Sequence, residues 1–202
     1  KCKFPKDMRI KDINIVNFKG FQNKTVVFNG NLTVVIGNNT AGKTTLLKAL
    51  QVGLGAYLQS LKKLPGGTPY RRNFGSLDKF KKHDDILRDY IYNDEKPRIT
   101  INADFPITQS LCNNCPKVSF IPVHWYREFA GNYTTHTRAC AGELIDAVHQ
   151  MESLRYDEKQ ESVYPLVLAF GAKRTSDSQA RSSSNVKERA SRIEKAYKFA
   201  LH

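Results

Sequence analysis

The sequence predicts an α/β fold with a mixed sheet, and three observations carry this prediction. Strand-like alternation fills the first 28 residues, a continuous apolar run occupies residues 32–36, and an apolar stripe at helical spacing begins near residue 43. Alternation is typical of a half-buried strand, whereas a continuous β-branched run is typical of a strand covered on both faces. A sheet with helices packed against it satisfies all three patterns.

Composition and charge set the class of protein. The chain has 202 residues, and 32 lysines and arginines against 19 aspartates and glutamates give a formal charge of +13. The hydrophobic content is high enough for a core, which excludes wholesale disorder. No apolar run approaches the roughly 18 residues that span a bilayer and no secretory signal is present, so we expect a cytoplasmic protein without membrane contact. The positive charge favours acidic partners or is simply a basic surface.

The first elements follow in chain order. Residues 10–18 and 25–28 predict two strands joined near a Phe-Lys-Gly-Phe turn, and residues 32–36 predict a buried strand. A helix is expected over about 43–58, with the stripe Leu46, Leu47, Leu50, Leu54, Tyr57 and Leu58 on one face. Its two internal glycines, at 53 and 55, should weaken it, since each costs about 1 kcal/mol against alanine.

Five further segments complete the expected organisation of the chain. They are a basic helical insert at about 62–95, a β hairpin at about 98–127, a helical segment at about 143–155, a strand end at 163–174 and a last helix from about 186. Within the insert, the apolar residues between 86 and 91 suggest a short helix. In the hairpin, strands over 98–105 and 118–127 are joined by a long loop that holds Cys112 and Cys115.

One motif carries chemistry. Residues 37–44 are Gly-Asn-Asn-Thr-Ala-Gly-Lys-Thr, which matches the phosphate-binding pattern G-x-x-x-x-G-K-[ST] at every fixed position. The motif follows a predicted strand and opens a predicted helix, as a P-loop requires. Glycines at 37 and 42 let the backbone approach phosphate, and the helix N-terminus adds partial positive charge. We therefore expect a P-loop NTPase that binds ATP and Mg²⁺.

The motif assigns roles to individual residues. Lys43 and Thr44 are the predicted catalytic residues, with the Lys43 ammonium on the β- and γ-phosphates and the Thr44 hydroxyl on Mg²⁺. The nucleotide-binding residues are predicted to be Gly37, Asn38, Asn39, Thr40, Ala41, Gly42, Lys43, Thr44 and Thr45.

Flanking sequence adds a family resemblance. The run MRIKDINIVNFKGF at residues 8–21, followed by LTVVIGNN at residues 32–39, resembles the start of ABC-type ATPase heads of the SMC/RecF/OLD group of the AAA family. Residues 166–174, LVLAFGAKR, are similar to a strand end in small bacterial RecF-like ATPases, including the ATPase subunits of Septu- and retron-type anti-phage systems. Phe170 and Gly171 depart from the two tyrosines of that pattern.

The resemblance implies a head with an antiparallel β layer and two ATPs held between two subunits. Such a head needs a signature serine, a Walker B Asp-Glu pair and a switch histidine, and none is visible here. Residues 1–202 therefore resemble the N-terminal lobe of a bipartite head, which alone should bind nucleotide weakly and hydrolyse it poorly.

For the complete protein, the resemblance implies a homodimer or higher oligomer formed through the ATP sites. ATP hydrolysis would drive a nucleic-acid transaction, in DNA repair or in anti-phage defence with a nuclease partner. An alternative is a nucleotide-gated assembly module with little or no turnover. A transporter ATPase is disfavoured by the Asn-Phe-Lys-Gly-Phe opening and by the absence of a Q-loop glutamine.

Four weaker candidates remain open. Arg174 follows a predicted strand end, where it is either a γ-phosphate sensor or a surface arginine. Relatives place residues near the ribose and base where Lys19 and Phe21 stand, although Phe21 is as well explained by the core. Cys112 and Cys115 form a lone C-x-x-C, which favours two incidental cysteines over a metal site. The basic stretch 70–88 contacts DNA or RNA phosphates, faces an acidic partner, or is a solvated surface.

Overall fold

The computed structural model describes residues 8–30, 32–61, 72–112, 115–157 and 164–167, without the side chains of 108–112, 115–118 and 154–157. The elements are β1 (Arg9–Phe18), β2 (Phe21–Val27), α1 (Lys43–Ser60), a 3-10 turn (Ser76–Asp78), β3 (Lys81–Asp84), β4 (Asp89–Tyr92), β5 (Arg98–Cys112), β6 (Cys115–Glu128) and α2 (Arg138–Asp157). Arg174 and the helix expected from about 186 lie outside the described residues.

Four strands form one antiparallel sheet in the order β2-β1-β5-β6. Its register places Ile13 opposite Ile101, and Ile101 opposite Trp125. These three side chains are buried with their neighbours two residues along each strand, because alternate residues of a strand share one face. The α/β class with an antiparallel β layer is thus present. The described strands of this sheet are all antiparallel, so its mixed character is not seen in them.

Helix α1 buries small residues together with most of its predicted apolar stripe, since Leu46, Tyr57 and Leu58 lie in the core. The residues that it buries include Ala49, Val52, Gly53 and Ala56, whereas Leu47 is 54% exposed. A Cβ on Gly53 would lie 2.4 Å from Cδ1 of Ile101, and a Cβ on Gly55 would lie 2.4 Å from Nη1 of Arg127. These glycines, which the sequence marked as a cost to the helix, also permit the close approach of α1 to the sheet.

The segment at residues 32–36 corrects the prediction of a buried strand. It forms no regular strand, and Leu32, Val34 and Ile36 are largely exposed. A strand needs a neighbour to satisfy its backbone N–H and C=O groups, and within the described part of the chain no strand lies beside this one. Its one described side-chain contact is local, since the hydroxyl of Thr33 accepts the backbone N–H of Asn29 at 3.0 Å.

The insert also differs from its prediction. Residues 81–92 form an antiparallel hairpin of β3 and β4 where a short helix was expected within a helical insert at 62–95. The carboxylate of Asp84 accepts the backbone N–H groups of Ile86 and Leu87 at 2.9 and 3.0 Å, which closes a turn. Arg88 has a left-handed φ of 50°, which ends that turn and starts β4. Residues 62–71 of the insert are outside the described part.

The second hairpin and helix α2 are longer than predicted. Strands β5 and β6 pair as far as Cys112 opposite Cys115. Two residues therefore connect the paired strands, where a long loop was predicted. Helix α2 begins at Arg138, before the start at about 143 that the sequence predicts, and Ala141 breaks its regularity with φ −143°. At the strand end predicted over 163–174, the described residues 164–167 are not in a strand. The Tyr57 hydroxyl on α1 donates to the Pro165 carbonyl at 3.0 Å.

Candidate functional site

The glycine-rich loop is an exposed turn that leads directly into α1. Residues 37–41 are exposed, and the Ala41 N–H donates to the Asn38 carbonyl at 3.2 Å. Thr40 and Gly42 both adopt left-handed backbone angles, with φ of 73° and 89°. The hydroxyl of Thr40 donates to the Asn39 carbonyl, a local bond that accompanies this conformation.

The N-terminus of α1 has no side-chain cap. Gly42 is the N-cap residue and has no side chain to bond the first N–H groups, and the first turn holds no acidic residue. The first helical bond runs from the Leu46 N–H to the Gly42 carbonyl at 2.9 Å. The preceding N–H groups and the positive end of the helix dipole therefore point at the loop, which favours an anion.

The Lys43 ammonium lies against the loop itself. It donates to the carbonyls of Gly37 and Asn38, each at 2.6 Å. These bonds bring a positive charge to the two residues that open the motif. Thr44 is exposed on the first turn of α1, and Thr45 is half-buried beside it. The backbone thus brings the predicted residues 37–45 together around one turn.

Phe21 is a neighbour of the loop whose contact sequence reasoning did not assign. A Cβ built on Gly42 would lie 2.6 Å from Cζ of Phe21, so the ring rests against the backbone of residue 42. Position 42 therefore requires glycine for two reasons, its left-handed φ and this contact. Phe21 begins β2 and packs partly into the core, which joins the loop to the sheet.

Lys19 is occupied by an ion pair. Its ammonium lies 2.5 Å from a carboxylate oxygen of Asp78, which is buried. The other oxygen of that carboxylate accepts the Gly75 N–H at 2.9 Å and lies 3.8 Å from the Arg72 guanidinium. Nothing in the sequence pattern singled out Asp78. It fixes the turn between β1 and β2 to the start of the insert.

A glycine-rich turn that opens an uncapped helix with this lysine is the central part of a P-loop. The comparison with protein families agrees with this assignment, although residues 32–36 do not form the expected strand. The family described as "AAA ATPase domain" matches residues 8–199. The chain belongs to this family. The AAA ATPase domain therefore accounts for nearly the whole chain and for the resemblance found in its opening residues.

Two curated proteins are similar to part of this AAA ATPase domain. The "Retron Ec83 probable ATPase" of Escherichia coli is 43% identical over 49 residues, which are 23% of this chain and 9% of that protein. The "DNA double-strand break repair Rad50 ATPase" of Sulfolobus acidocaldarius is 40% identical over 47 residues, 23% of this chain and 5% of that protein. Each match spans less than a tenth of the relative's length.

A buried arginine of the domain, Arg127, is a further residue that sequence reasoning missed. One of its nitrogens donates to the carbonyls of Val52 at 2.8 Å and Arg72 at 3.0 Å, and the other donates to the Asn73 side chain at 2.9 Å. It ties the middle of α1 to the segment that begins the described insert. Its position on a predicted strand did not indicate that it would be buried, since an arginine is usually exposed.

Cys140, the cysteine whose side chain is described, lies near the start of α2. Burial acts to raise the pKa of the Cys140 thiol, but hydrogen bonds with Thr137, Tyr126 and Thr135 outweigh it, so the pKa is lowered. The same contact with Cys140 raises the pKa of Tyr126. Thr137 donates to the Cys140 sulfur at 3.2 Å.

Among residues with described side chains, no three His, Cys, Asp or Glu groups lie close enough together to hold a metal ion. The side chains of Cys112 and Cys115 are outside that set, as is Arg174. Within the described part of the chain, no helix has the length and apolar character needed to cross a membrane.

Proposed function

We propose that this AAA ATPase domain binds ATP at residues 37–45. The observation that carries the proposal is the Lys43 ammonium, which lies 2.6 Å from two loop carbonyls beside an uncapped helix N-terminus. A triphosphate offers the ammonium oxygens that carry negative charge in place of neutral carbonyls, which adds the attraction of opposite charges to the hydrogen bonds. The amides of residues 38–44 supply further donors for the phosphates.

Mg²⁺ fits the exposed hydroxyl of Thr44. This residue stands one position after Lys43 on the first turn, and no described hydrogen bond occupies its side chain. A Mg²⁺ ion takes six oxygen ligands, and in nucleotide sites most come from water and phosphate. Thr44 would supply one of them. The ion, when bound, neutralises phosphate charge, while Lys43 and the loop amides hold the triphosphate in place.

In the complete protein we propose that ATP hydrolysis is coupled to dimerisation and to a nucleic-acid transaction. Two observations support this. Both relatives are named as ATPases, one of a retron and one of DNA double-strand break repair. The exposed apolar side chains of residues 32–36 and Leu47 form a surface next to the loop, and such surfaces mark contacts with further protein. A nuclease partner, the residue Arg174 as a γ-phosphate sensor, and a cytoplasmic location belong to the same proposal.

A second function, a nucleotide-gated assembly module with little turnover, is favoured by one observation. The motif from 37 to 45 and the first turn of α1 contain no carboxylate that could position an attacking water. In this alternative, ATP holds an assembly together and is released slowly. Phosphate release from the complete protein separates the two, because steady turnover supports the ATPase and contradicts the assembly module.

Lys43→Ala tests nucleotide binding, with Lys48→Ala on the same helix as the matched control. We expect a fluorescent ATP analogue to bind the Lys43 variant about 10- to 100-fold more weakly, because one hydrogen bond to a charged group contributes about 1.5–3 kcal/mol. The Lys48 variant should stay within about twofold of the unchanged protein. Equal affinities for the Lys43 variant and the unchanged protein would contradict the proposal.

Thr44→Ala examines the magnesium role separately. We expect this variant to lose affinity for the nucleotide when Mg²⁺ is present and to match the unchanged protein in EDTA, where no ion is available to bridge hydroxyl and phosphate. A loss of equal size under both conditions would assign Thr44 to direct phosphate contact and remove it from the ion.

A further inference from the structure

The hairpin of β3 and β4 stands away from the body of the domain. Within the described residues, no hydrogen bond or ion pair joins the side chains of residues 81–92 to the rest of the protein. Its attachment is at the root, where the Phe80 N–H donates to the Asn17 carbonyl at 3.1 Å. Phe18 and Lys79 also form a bridge there. The hairpin therefore presents both of its strands to solvent.

The root of the hairpin is held firmly. The Lys19 backbone N–H donates to the Asp78 carbonyl at 2.7 Å, and the Lys19 ammonium lies 2.5 Å from the buried Asp78 carboxylate. Because Lys19 lies in the turn that leads to Phe21, the hairpin is fixed near the strand that contacts the glycine-rich loop. A projection with a fixed base positions its side chains with little loss of entropy on binding.

One face of the hairpin carries aromatic rings beside a cation. Lys81 is paired with Tyr92, and His83 with Tyr90, so these four side chains share a face. The Lys81 ammonium lies 4.7 Å from the Tyr92 ring centre, and the His83 and Tyr90 ring centres are 5.4 Å apart. Tyr90 is 63% exposed and Tyr92 is 40% exposed.

The spacing of the two tyrosines suits successive bases. Residues two apart on a strand are separated by about 7 Å, which leaves room for each ring to stack on its own base. Aromatic rings and cations along one face are the features that bind single-stranded nucleic acid without sequence preference. Lys79, Lys81 and Lys82 place three positive charges along β3 and its approach, at the end nearest the body.

The carboxylates of the hairpin lie at its tip and contact other groups of the same hairpin. The Asp84 carboxylate accepts the N–H groups of the turn, which lowers its pKa, and Asp85 lies 2.9 Å from His83. Asp89 accepts the neighbouring Tyr90 N–H at 2.6 Å. Charge is thus divided along the hairpin, with Lys81 and Lys82 on the stem and three carboxylates together with Arg88 at the turn. A polyanion would lie across the stem and not over the tip.

We propose that the stem face of residues 81–92 binds single-stranded nucleic acid, with the two tyrosines stacking on bases and the lysines beside them contacting phosphates. The proposal rests on the nucleic-acid transaction proposed above and names the surface that contacts the strand. It does not depend on ATP binding at residues 37–45.

Removal of the rings is the first test. Anisotropy of a fluorescein-labelled 20-residue oligothymidine measures binding to the protein, the Tyr90→Ala/Tyr92→Ala variant and Tyr133→Ala, a matched control at a 61% exposed tyrosine outside the hairpin. We expect the double variant to bind at least about 30-fold more weakly, because it removes two stacked bases and each base on a ring contributes about 1–3 kcal/mol. The control should bind normally. Thermal melting by circular dichroism verifies that each variant is folded.

Removal of a positive charge is the second test. Lys81→Gln, on the face that carries the tyrosines, should flatten the slope of log K against log salt by about 0.7, the contribution of one contact with single-stranded phosphate. Lys24→Gln, on the exposed strand β2, is the matched control and should leave the slope unchanged. An unchanged slope in the hairpin variant would overturn the lysine contact.

The outcomes separate this proposal from the function on which it rests. If the protein binds the oligonucleotide and the tyrosine variant binds it equally well, the hairpin is overturned as the surface, and the nucleic-acid transaction stands. If the protein binds no oligonucleotide, both fail, while ATP binding is still decided by Lys43→Ala. If the tyrosine variant binds oligonucleotide normally but changes the molecular mass measured by light scattering, the hairpin contacts protein and the proposal is overturned.

Discussion

The two segments that flank the glycine-rich loop differ sharply in packing. On one side, α1 lies against the four-stranded sheet, and Gly53 approaches the strands so closely that a Cβ would overlap Ile101. On the other side, residues 32–36 have a comparable apolar composition but remain exposed and form no strand. Both segments are apolar, so hydrophobicity alone does not decide which one is buried.

This difference shows that the C-terminal end of the glycine-rich loop is packed against the protein, whereas the segment before its N-terminal end is not. Gly42 is held by Phe21 and by the first bond of α1, whereas Gly37 follows a segment with no neighbouring strand in the described part of the chain. A phosphate site needs both ends of its loop positioned to pre-organise the amides. We infer that a contact covering residues 32–36 and nucleotide binding would favour each other, because each orders the same turn.

The largest effect is expected from replacing isoleucine by alanine, once in the sheet and once in the exposed segment 32–36. Ile101→Ala in the sheet should lower the free energy of unfolding by about 2–5 kcal/mol, because it leaves a cavity at a fully buried site. Ile36→Ala, at an 89% exposed site, should change it by less than about 0.5 kcal/mol. Urea unfolding followed by circular dichroism measures both. Comparable losses for the two variants would mean that residues 32–36 are packed in solution.

A smaller effect tests the close approach of α1. Gly53→Ala should destabilise the protein by about 1–3 kcal/mol despite alanine's better helix propensity, because the new methyl group collides with Ile101. Gly142→Ala in α2 is the matched control. Nothing lies within 4 Å of a Cβ there, so that variant should be stabilised by about 0.5–1 kcal/mol. Stabilisation by both substitutions would show that a methyl group at residue 53 does not collide with the sheet.

The smallest effect concerns the contact between α2 and β6. Because hydrogen bonds lower the pKa of Cys140, its alkylation by iodoacetamide should reach half of its maximal rate at a lower pH than in the unfolded chain. The thiolate then favours the folded state, a contribution present above the unfolded pKa and lost as the pH falls through the folded pKa. Thr137→Val should move the midpoint of the alkylation rate to a higher pH. Peptide mass spectrometry measures the alkylation of this cysteine. An unmoved midpoint would exclude the hydroxyl as a cause.

Local patterns predicted the elements whose partners are close in the chain. The alternation of β1 and β2, the helix that follows the loop and the P-loop motif itself each depend on a few consecutive residues, and their type follows from spacing. Long-range contacts escaped prediction. Phe21 against Gly42, Asp78 beneath Lys19 and Arg127 against α1 each join residues more than 20 positions apart.

The sequence by itself singled out the loop that we propose to hold phosphate, because glycine at two positions and one lysine are a local requirement of backbone and charge. Only the tertiary structure decided which apolar residues are buried. Residues 32–36 have the composition of a core, yet burial needs a surface opposite, and in the described residues the sheet packs against α1 and not against this segment. The hairpin at 81–92 was decided in the same way, because its turn forms from a carboxylate that bonds two backbone amides, which apolar spacing does not reveal.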